Sequence, residues 1–470
     1  MENALPENAL PLDVLAAAGL PAAAISAWAA AHPRATSDFT ADVPRHAAFW
    51  AQCTHLLDAL PGKPKRNLIE RDAAASIFTA ARRTREHFLG AHTGSVYDGL
   101  TDRRARFVRV DQLVRSAATL VPGLVPTEQE LQREAALDQR DKDGVEIDQG
   151  IFLAHVLGRE DTGLHLCHAM LLPRPESAAL AERFAADGVL DLGAARVERR
   201  GNSVHLTASN PRFLNAEDET TLTPMEIAVD VATLDTATGL GVLRGAAVDR
   251  SAYRGRAVFG AGINLTHLYR GRISFLWFLE RELGYVHKLM RGVARDDSFP
   301  DDVRGCGIEK PWVAVVDAFA IGGHCQLLLC MDYVLAAADA FMTLPARKEG
   351  IIPGVANLRL PRFTGDRIAR QAIQYGRRLD CDSPEGRLVC DEVVPAADID
   401  AALDRVLTGL GSSGVVSAVG NRRALRVCAE PLDVLRRYCS VYAREQASCL
   451  FSPALIANLE QHWNAQHREV

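Results

Sequence analysis

The sequence predicts an α/β protein in which a core of alternating strands and helices lies between two helical regions. Three observations predict this fold class. Residues 11–170 are rich in Ala and Leu with charges at helical spacing, strands alternate with helices from residue 196 to residue 395, and helical periodicity returns after that. We therefore predict an α-helical N-terminal domain (1–195), an α/β core (196–395) and a C-terminal helical segment (396–470).

The composition narrows the class of protein. The chain has 470 residues, enough for more than one packed unit, and 48% of them are hydrophobic and 24% charged. A net charge of −6 favours neither nucleic acid nor an anionic membrane as a partner. No signal-peptide pattern and no apolar run of roughly 18 residues is visible, so we expect a cytoplasmic protein without a membrane span.

The ten cysteines are scattered and include no Cys-x-x-Cys pair, which is typical of a reduced chain. His165, Cys167 and His168 form a close group of soft ligands, but the spacing matches no standard zinc pattern and a fourth ligand is missing. We expect these three residues to be structural, and we expect no metal site.

The N-terminal domain is predicted from helical segments such as Ala74–Ala81, with Pro122, Pro126 and Gly150 as interruptions. No motif in this domain indicates a reaction. The C-terminal segment is predicted from apolar residues at helical spacing around Leu435.

The core begins where the apolar pattern changes from helical to alternating. A β-hairpin is predicted around the turn Gly201-Asn202, because apolar residues alternate on both sides of it. Beyond it the pattern predicts a buried strand, a short helix, a second strand and a further helix, which are Trp312–Val316, His324–Met331, Tyr333–Ala337 and Arg367–Tyr375. Such alternation is typical of βαβ units with parallel strands.

Two glycine-bearing turns, in Val258–Leu265 and Ala320–Gln326, carry the strongest chemical signal. Each turn enters a predicted helix. Two such turns can direct two backbone N–H groups at one oxygen atom. The pair therefore indicates stabilisation of an enolate or another oxyanion beside a thioester carbonyl.

The order and spacing of five segments resemble the crotonase (enoyl-CoA hydratase/isomerase) superfamily. These segments are Asn210–Asn215, Phe259–Leu265, Ala320–Gln326, Leu344–Gly354 and Gly376–Val394. The resemblance covers roughly residues 196–395. It implies a crotonase-like spiral ββα core that binds an acyl-CoA thioester.

The resemblance also implies roles for single positions. The two oxyanion donors would be the backbone N–H groups of Ile263 and Gly323. Hydratases of this superfamily use two glutamates, and Gln326 and Ala346 stand at those positions. An amide and a methyl group cannot serve as general bases, so hydratase chemistry is expected to be absent. Glu349 is expected to be a surface or interface ion-pair residue.

A narrower resemblance extends outside these motifs. The helical N-terminal extension and the segments 215–219, 261–266, 277–284 and 346–353 are similar to the cofactor-independent 3,5-dihydroxyphenylacetyl-CoA dioxygenases of glycopeptide-antibiotic (vancomycin-type) pathways. This implies conversion of that thioester and O2 into 3,5-dihydroxyphenylglyoxylate, the dihydroxyphenylglycine precursor, and CoA. It also implies no metal, no organic cofactor, and a homo-oligomer that is a trimer or a hexamer.

The same segments supply candidate contacts. The substrate-binding candidates are Glu217, Ala261, Gly262, Asn264, Leu265, Thr266, Arg281, Gly322 and His324, and the CoA-binding candidates are Arg250, Tyr253 and Arg254. Glu217 and Arg281 are candidates to hold the substrate phenols; the alternatives are a helix N-terminal carboxylate and a solvated arginine. For His324 we favour a structural role over that of a proton carrier. Four apolar residues are candidates to surround O2 and otherwise ordinary core: Ala346, Ile351, Ile352 and Val355.

Two alternatives to dioxygenation remain open. One is another enolate reaction of the crotonase type, such as isomerisation, thioester hydrolysis or decarboxylation. The other is a non-catalytic protein that binds acyl-CoA, which the loss of both glutamates favours as much as it opposes hydration. Oxygen uptake coupled to CoA release distinguishes them.

Overall fold

A computed structural model describes residues 10–305, 307–412 and 414–468. The helices are α1 Leu12–Ala17, α2 Ala22–Ala30, α3 Phe39–Asp58, α4 Leu68–Leu100, α5 Val110–Leu120, α6 Glu128–Ala135, α7 Ile147–Gly158, α8 Glu160–Leu171, α9 Ser177–Asp187, α10 Glu219–Leu234, α11 Leu265–Tyr269, α12 Phe275–Arg281, α13 His287–Arg291, α14 Gly323–Leu328, α15 Ala346–Glu349, α16 Ala356–Tyr375, α17 Ile399–Gly411, α18 Val415–Ala429, α19 Leu432–Leu450 and α20 Pro453–Trp463. The strands are β1 Val189–Asp191, β2 Ala195–Arg200, β3 Ser203–Ala208, β4 Leu240–Gly245, β5 Val293–Ala294, β6 Gly307–Ile308, β7 Trp312–Val316, β8 Phe319–Ile321, β9 Tyr333–Ala337, β10 Phe341–Thr343, β11 Leu379–Asp380 and β12 Glu392–Val394.

In the described residues nine α-helices precede the first strand, and their packing joins the N-terminal region to the C-terminal segment. The longest, α4, begins with a capping box in which Asn67 and Glu70 bond each other's backbone N–H groups. Helix α7 packs along α19 of the C-terminal segment. A side chain at Gly150 would bring a Cβ atom within 2.5 Å of Ala447 Cβ, so only glycine allows this close approach. Among the described residues, no helix is long and apolar enough to cross a membrane.

The main sheet has seven strands in the order β1-β2-β3-β4-β7-β9-β12. Strand β2 pairs antiparallel with β1 and with β3. The remaining neighbours in this sheet, β3-β4, β4-β7, β7-β9 and β9-β12, pair parallel. Trp312 lies over Gly241 of the neighbouring strand, where a Cβ atom would come within 2.5 Å of the indole. The parallel βαβ arrangement confirms the predicted α/β fold class. Strand β1 begins at Val189, before residue 196, where the core was predicted to begin. The three predicted domain boundaries stay predictions.

A second sheet of three strands, β11-β10-β8, positions the candidate site. Strands β8 and β10 are parallel, and Gly260 forms a further parallel bridge to Ala320 on the other side of β8. Because parallel strands end at the same edge, the segment around residue 260, the start of α14 and the start of α15 all meet there.

The predicted elements of the core are largely confirmed. The hairpin around Gly201-Asn202 and the strands Trp312–Val316 and Tyr333–Ala337 lie where the sequence places them. The helix predicted to end at Met331 is shorter, since α14 ends at Leu328. The helix predicted from Arg367 is longer, because α16 begins at Ala356 and continues through non-helical backbone at Gly365.

Candidate active site

The two glycine turns lie side by side at the ends of these strands. Ile321 N–H donates to Gly260 O at 3.0 Å, and a Cβ atom on Gly262 would lie 3.2 Å from Gly323 N. Within the described part of the chain, neither Ile263 N–H nor Gly323 N–H has a hydrogen-bond acceptor. Both predicted donors are therefore close together and free to bind one oxygen atom.

Glycine is required in these turns for two different reasons. Gly262 has φ +79°, and Gly322 has φ +53° with ψ −118°, conformations that residues with a Cβ atom rarely adopt. At Gly323 the backbone is unstrained, but an added Cβ atom would overlap the carboxylate of Glu217 and lie 3.0 Å from the Arg281 guanidinium. The second turn thus also needs space for side chains from other elements.

His324 supports the backbone of the first glycine turn. Gly262 N–H donates to His324 Nδ1 at 3.1 Å, and the imidazole lies so close to Gly260 that any side chain at position 260 would overlap it. Burial lowers the pKa of His324 to about 4, so the ring is neutral near pH 7, with Nδ1 as an acceptor. The geometry supports the structural role that the sequence favoured.

A partly open cavity of about 30 Å³ lies against the two donors. It is lined by residues from the four helices α12, α14, α15 and α19 and from segments next to helices: Glu217, Ile263, Trp277, Phe278, Arg281, Glu282, Gly322, Gly323, Gln326, Ala346, Glu349, Ile351, Ile352, Pro353, Gly354 and Tyr442. Backbone donors, charged groups and apolar side chains thus face one small space. An acyl group bound here would be held in a largely dry environment.

Arg281 is the electrostatic centre of this cavity. It donates two hydrogen bonds to Glu217, from Nε at 2.9 Å and from Nη2 at 3.0 Å. It also donates to Gln326 Oε1 at 2.9 Å, to Gly323 O at 2.8 Å and to the carboxylate of Glu282. The alternative of a solvated arginine is wrong, because Arg281 is buried and bound to Glu217. Glu217 directly precedes Asp218, the N-cap of α10, so it does lie at the N-terminal end of that helix.

The pair keeps Glu217 ionised in spite of its burial. Burial alone would raise the pKa of the Glu217 carboxyl, but the charge of Arg281, the nearby His324 and the hydroxyl of Tyr285 together hold it below its usual value. The fork of Arg281 also fixes the orientation of the Gln326 amide. The described structure gives the Gln326 side-chain nitrogen no protein partner, which leaves that donor for a ligand.

Glu349 is half-buried, and its expected role as a surface or interface ion-pair residue stays a prediction where a partner subunit is concerned. Glu349 forms no ion pair with any described residue, and it lines the cavity with the oxyanion donors. It follows Ala346 by three positions on α15, so both positions lie on one side of the helix. Burial raises the pKa of its carboxyl to about 7.

Other predicted substrate contacts lie next to the cavity and support it. Asn264 caps α11 by accepting from His267 N–H at 3.2 Å, and its Nδ2 donates to Asp218 at 3.0 Å. Ala261 N–H donates to Leu214 O, while Leu265 and Thr266 are buried at the start of α11. Of the substrate-binding candidates, Glu217, Arg281 and Gly322 line the cavity.

The CoA-binding candidates lie on a surface loop outside the cavity. Arg250 donates to Arg212 O at 3.1 Å, and Arg254 pairs with Asp249 at 3.0 Å. Tyr253 packs edge-on against Phe319, with ring centroids 5.1 Å apart. Their role in binding CoA stays a prediction.

Three of the four apolar candidates line the cavity, namely Ala346, Ile351 and Ile352. Val355 is buried, and its N–H donates to Glu282. Glu282 and Tyr442 line the cavity without having been predicted. Glu282 could have been predicted as a cavity residue, because it directly follows the candidate Arg281. Tyr442 could not, because it lies on the distant helix α19 and belongs to no motif.

His165 and His168, which were expected to be structural, have protein hydrogen-bond partners. His165 Nδ1 bonds the hydroxyl of Tyr97 and its Nε2 bonds Arg104 O, while His168 Nε2 bonds Arg295 O. Across residues 10–305, 307–412 and 414–468, no three His, Cys, Asp or Glu side chains are grouped so that they could hold a metal ion.

Comparison with known proteins gives these features a family context. Residues 303–419 match the family model described as enoyl-CoA hydratase/isomerase. The (3,5-dihydroxyphenyl)acetyl-CoA 1,2-dioxygenase of Amycolatopsis orientalis is 46% identical over 405 residues, which cover 86% of this chain and 92% of that protein. A probable enoyl-CoA hydratase of Rhizobium meliloti (strain 1021) is 26% identical over 53% of this chain and 90% of that protein. The solved structure of carnitinyl-CoA hydratase from Mycobacterium avium is 24% identical, with a TM-score of 0.47, over 60% of this chain and 98% of that one.

Two adjacent N–H-bearing turns at the ends of parallel strands define a protein of the crotonase class. The identity to the Amycolatopsis enzyme covers 86% of this chain, which is more than the core alone. This chain therefore belongs to the enoyl-CoA hydratase/isomerase (crotonase) superfamily and, within it, to the same family as that dioxygenase.

Proposed function

We propose that this protein is a dioxygenase that converts 3,5-dihydroxyphenylacetyl-CoA and O2 into 3,5-dihydroxyphenylglyoxylate and CoA, with no metal and no organic cofactor. The observation that carries the proposal is its extensive identity to the Amycolatopsis dioxygenase. The site agrees with it, because the oxyanion turns are present while Gln326 and Ala346 replace the carboxylates of a hydratase.

The oxyanion turns activate the thioester. Hydrogen bonds from Ile263 N–H and Gly323 N–H to the carbonyl oxygen stabilise the enolate that forms when the Cα proton leaves. The aryl ring delocalises the remaining charge. An electron-rich enolate can transfer one electron to O2, and recombination of the two radicals forms a Cα–O bond.

The Cα peroxide completes the reaction without a further oxidant. Its terminal oxygen attacks the thioester carbonyl and the C–S bond breaks, which releases CoA. The second Cα proton then leaves as the O–O bond breaks, and the electron pair forms the keto C=O bond. One thioester and one O2 thus give one α-keto acid and one CoA thiol.

The charged residues of the cavity hold the substrate. Glu217 and Arg281 are buried as a pair beside the donors. The carboxylate of Glu217 has lone pairs left to accept from a phenol group of the ring, while Arg281, whose five N–H groups are bonded within the protein, holds that carboxylate in place. The Gln326 amide orients the thioester, since it has no useful pKa for proton transfer. Ala346, Ile351 and Ile352 provide apolar walls for O2 and exclude water.

The test is oxygen uptake measured together with CoA release on 3,5-dihydroxyphenylacetyl-CoA, with and without oxygen. We expect equal amounts of O2 consumed and CoA released, no release under argon, and no change after exhaustive chelation. CoA release without oxygen would indicate a thioesterase instead. Activity lost on chelation and restored by a metal would contradict the cofactor-independent reaction.

A second measurement tests the loss of hydratase chemistry. Crotonyl-CoA should not be hydrated, because neither Gln326 nor Ala346 can move a proton. A rate comparable to that of ordinary hydratases would contradict the assignment of these two positions. We also propose a homo-oligomeric assembly, a trimer or a hexamer, which sedimentation analysis can test.

A further inference from the structure

We propose that the carboxylate of Glu349 is the general base that removes the Cα proton of the bound thioester. This inference rests on the proposed function, which requires a base but does not identify one. Three observations support it: the free state of this carboxylate, its position relative to the oxyanion donors, and its electrostatic surroundings.

Three carboxylates line the cavity, and two of them are already bound. Glu217 accepts two hydrogen bonds from Arg281 and one from Tyr285. Glu282 accepts from Arg281 and from the N–H of Val355. In the described structure Glu349 has no hydrogen-bond donor and no cation, so its lone pairs remain available to take a proton.

The strand order places Glu349 beside the oxyanion donors. Strand β8 ends just before Gly323, and its parallel neighbour β10 ends just before α15, which ends in Glu349. Gly322 N–H also donates to Thr343 O at 2.8 Å, which ties the two strand ends together. Ile263, Gly323 and Glu349 line one cavity, so a thioester whose oxygen binds the two N–H groups would lie in the space that Glu349 also borders.

Ala346 leaves room for this carboxylate. It faces the same cavity one helical turn earlier, where hydratases of the superfamily carry a glutamate. A methyl group at this position cannot compete for the proton and does not fill the space in front of Glu349. The base is thus displaced by three residues along α15 relative to the position that the sequence indicated.

The surroundings of the Glu349 carboxyl bring its pKa close to neutral pH. Burial raises the pKa of Glu349 to about 7, and no charged neighbour is needed to explain that value. The other titratable groups around the cavity are Glu217, Arg281, Glu282 and Tyr442, and the charge of Arg281 is taken up by its two carboxylates. On α15 itself, Arg347 and Lys348 are exposed. The contacts of α15 with α20 and α16 include hydrogen bonds of Arg347 with the uncharged Asn458 and with the Gln374 carbonyl.

A base with a pKa near the working pH is well suited to proton transfer. In the first step the Cα–H bond breaks, its electron pair enters the enolate, and the proton moves to the Glu349 carboxylate. That proton is returned to the CoA sulfur when the C–S bond breaks. Glu349 is then ionised again and accepts the second Cα proton as the O–O bond breaks.

The experiment measures exchange of the Cα protons for deuterium in D2O under argon, which reports proton removal without oxygenation. Glu349→Gln should lower the exchange rate by roughly 10²- to 10⁴-fold. Glu349→Asp should retain part of the rate. Lys348→Gln, an exposed change on the same helix, is the matched control and should exchange like the wild type, with folding checked by circular dichroism.

The pH profile supplies the second readout. In the wild type, kcat/KM for oxygen uptake should rise as the pH increases through about 7, because Glu349 loses its proton there. Glu349→Gln should lose this limb. Folded Glu349→Gln that exchanges at the wild-type rate would overturn the proposal, as would a wild type that exchanges no Cα proton. A wild type that exchanges Cα protons but takes up no oxygen would overturn the proposed function alone.

Discussion

At the scale of single residues, Gly323 satisfies two separate demands. Its N–H is a predicted oxyanion donor, and its missing side chain leaves room for Glu217 and Arg281. A substitution here changes both properties at once. Two substitutions that differ in only one of them are needed to separate their effects.

We predict that Gly323→Pro is far more damaging than Gly323→Ala. Both add a Cβ atom that displaces Glu217, but only proline removes the N–H, and proline is tolerated in the first turn of a helix. Loss of one oxyanion donor typically costs roughly 10²- to 10³-fold in rate, so proline should be slower than alanine by about this factor. Equal rates of oxygen uptake for the two folded variants would show that Gly323 N–H is not a donor. Ile263→Ala keeps its N–H and should lower the rate much less than the proline variant.

We predict that His324 is a positioning residue. His324→Ala removes the acceptor for Gly262 N–H and should lower kcat by roughly 10- to 100-fold, because small displacements of reacting groups are costly. The shape of the pH profile above pH 5 should not change, since the imidazole with a pKa of about 4 is already neutral there. His324→Asn offers an amide oxygen in place of Nδ1 and should recover part of the rate. Loss of the limb near pH 7 in His324→Ala would show instead that the imidazole carries the proton.

Motif spacing predicted which backbone groups would meet, but it could not predict every side-chain partner. Ile263, Gly323 and Gln326 face one cavity as expected, because the turn–helix pattern fixes local backbone geometry. The pairing of Glu217 with Arg281 spans 64 residues, and no local pattern encodes such a contact. The place of Glu349 in the cavity lining was not predicted, because spacing alone does not reveal which side of a four-residue helix faces the cavity.

At the scale of secondary-structure elements, glycines decide how closely helices approach. Gly150 lies where α7 meets α19, and an added Cβ atom would come within 2.9 Å of Ala443 O. Gly90 lies in α4, where an added Cβ atom would have no neighbour within 4 Å. The two positions therefore form a matched pair in different environments.

We predict opposite effects of alanine at these two glycines on the free energy of unfolding. Gly150→Ala should destabilise the protein by about 1–3 kcal/mol, because it overpacks a tight helix contact. Gly90→Ala should stabilise it by roughly 0.5–1 kcal/mol, the usual gain of alanine over glycine in a helix. Urea denaturation measures both. A Gly150→Ala variant as stable as the wild type would show that α7 and α19 can separate without cost.

Element types were predictable in the core because the apolar pattern is strong there. The buried strand Trp312–Val316 is apolar throughout, and the hairpin alternates regularly around its turn. Helix ends were less predictable, since α16 begins eleven residues before Arg367 and includes Pro361. Packing on its neighbours stabilises this part of the helix against its local preference.

At the scale of the whole molecule, buried ion pairs connect the core to the C-terminal segment. Glu430, at the junction of α18 and α19, accepts hydrogen bonds from Arg359 and Arg362 of α16 at 2.8–3.0 Å. Burial alone would raise the pKa of this carboxyl, but the arginines hold it at about 2. A charge that is buried and fully paired is costly to leave half-paired.

We predict that Glu430→Gln destabilises the protein by about 3–5 kcal/mol at pH 7. The folded pKa of about 2 lies below the usual value for glutamate, so ionised Glu430 stabilises the fold above pH 4.5. This contribution is lost as the pH falls towards 2, so the difference between variant and wild type should shrink there. Denaturation at several pH values tests the trend, with the exposed Glu445→Gln of α19 as control. A difference independent of pH would contradict the low pKa.

The arrangement of the site has a consequence for how this protein family diversifies. The anion-stabilising groups belong to the main chain at the ends of neighbouring strands, so they are inherited with the fold whatever side chains surround them. The proton-handling groups are ordinary side chains at positions such as 326, 346 and 349. Single codon changes at these positions can therefore redirect a common enolate to hydration, oxygenation or another outcome. The backbone at the strand ends stabilises the enolate, and a few side chains determine which reaction the enolate undergoes.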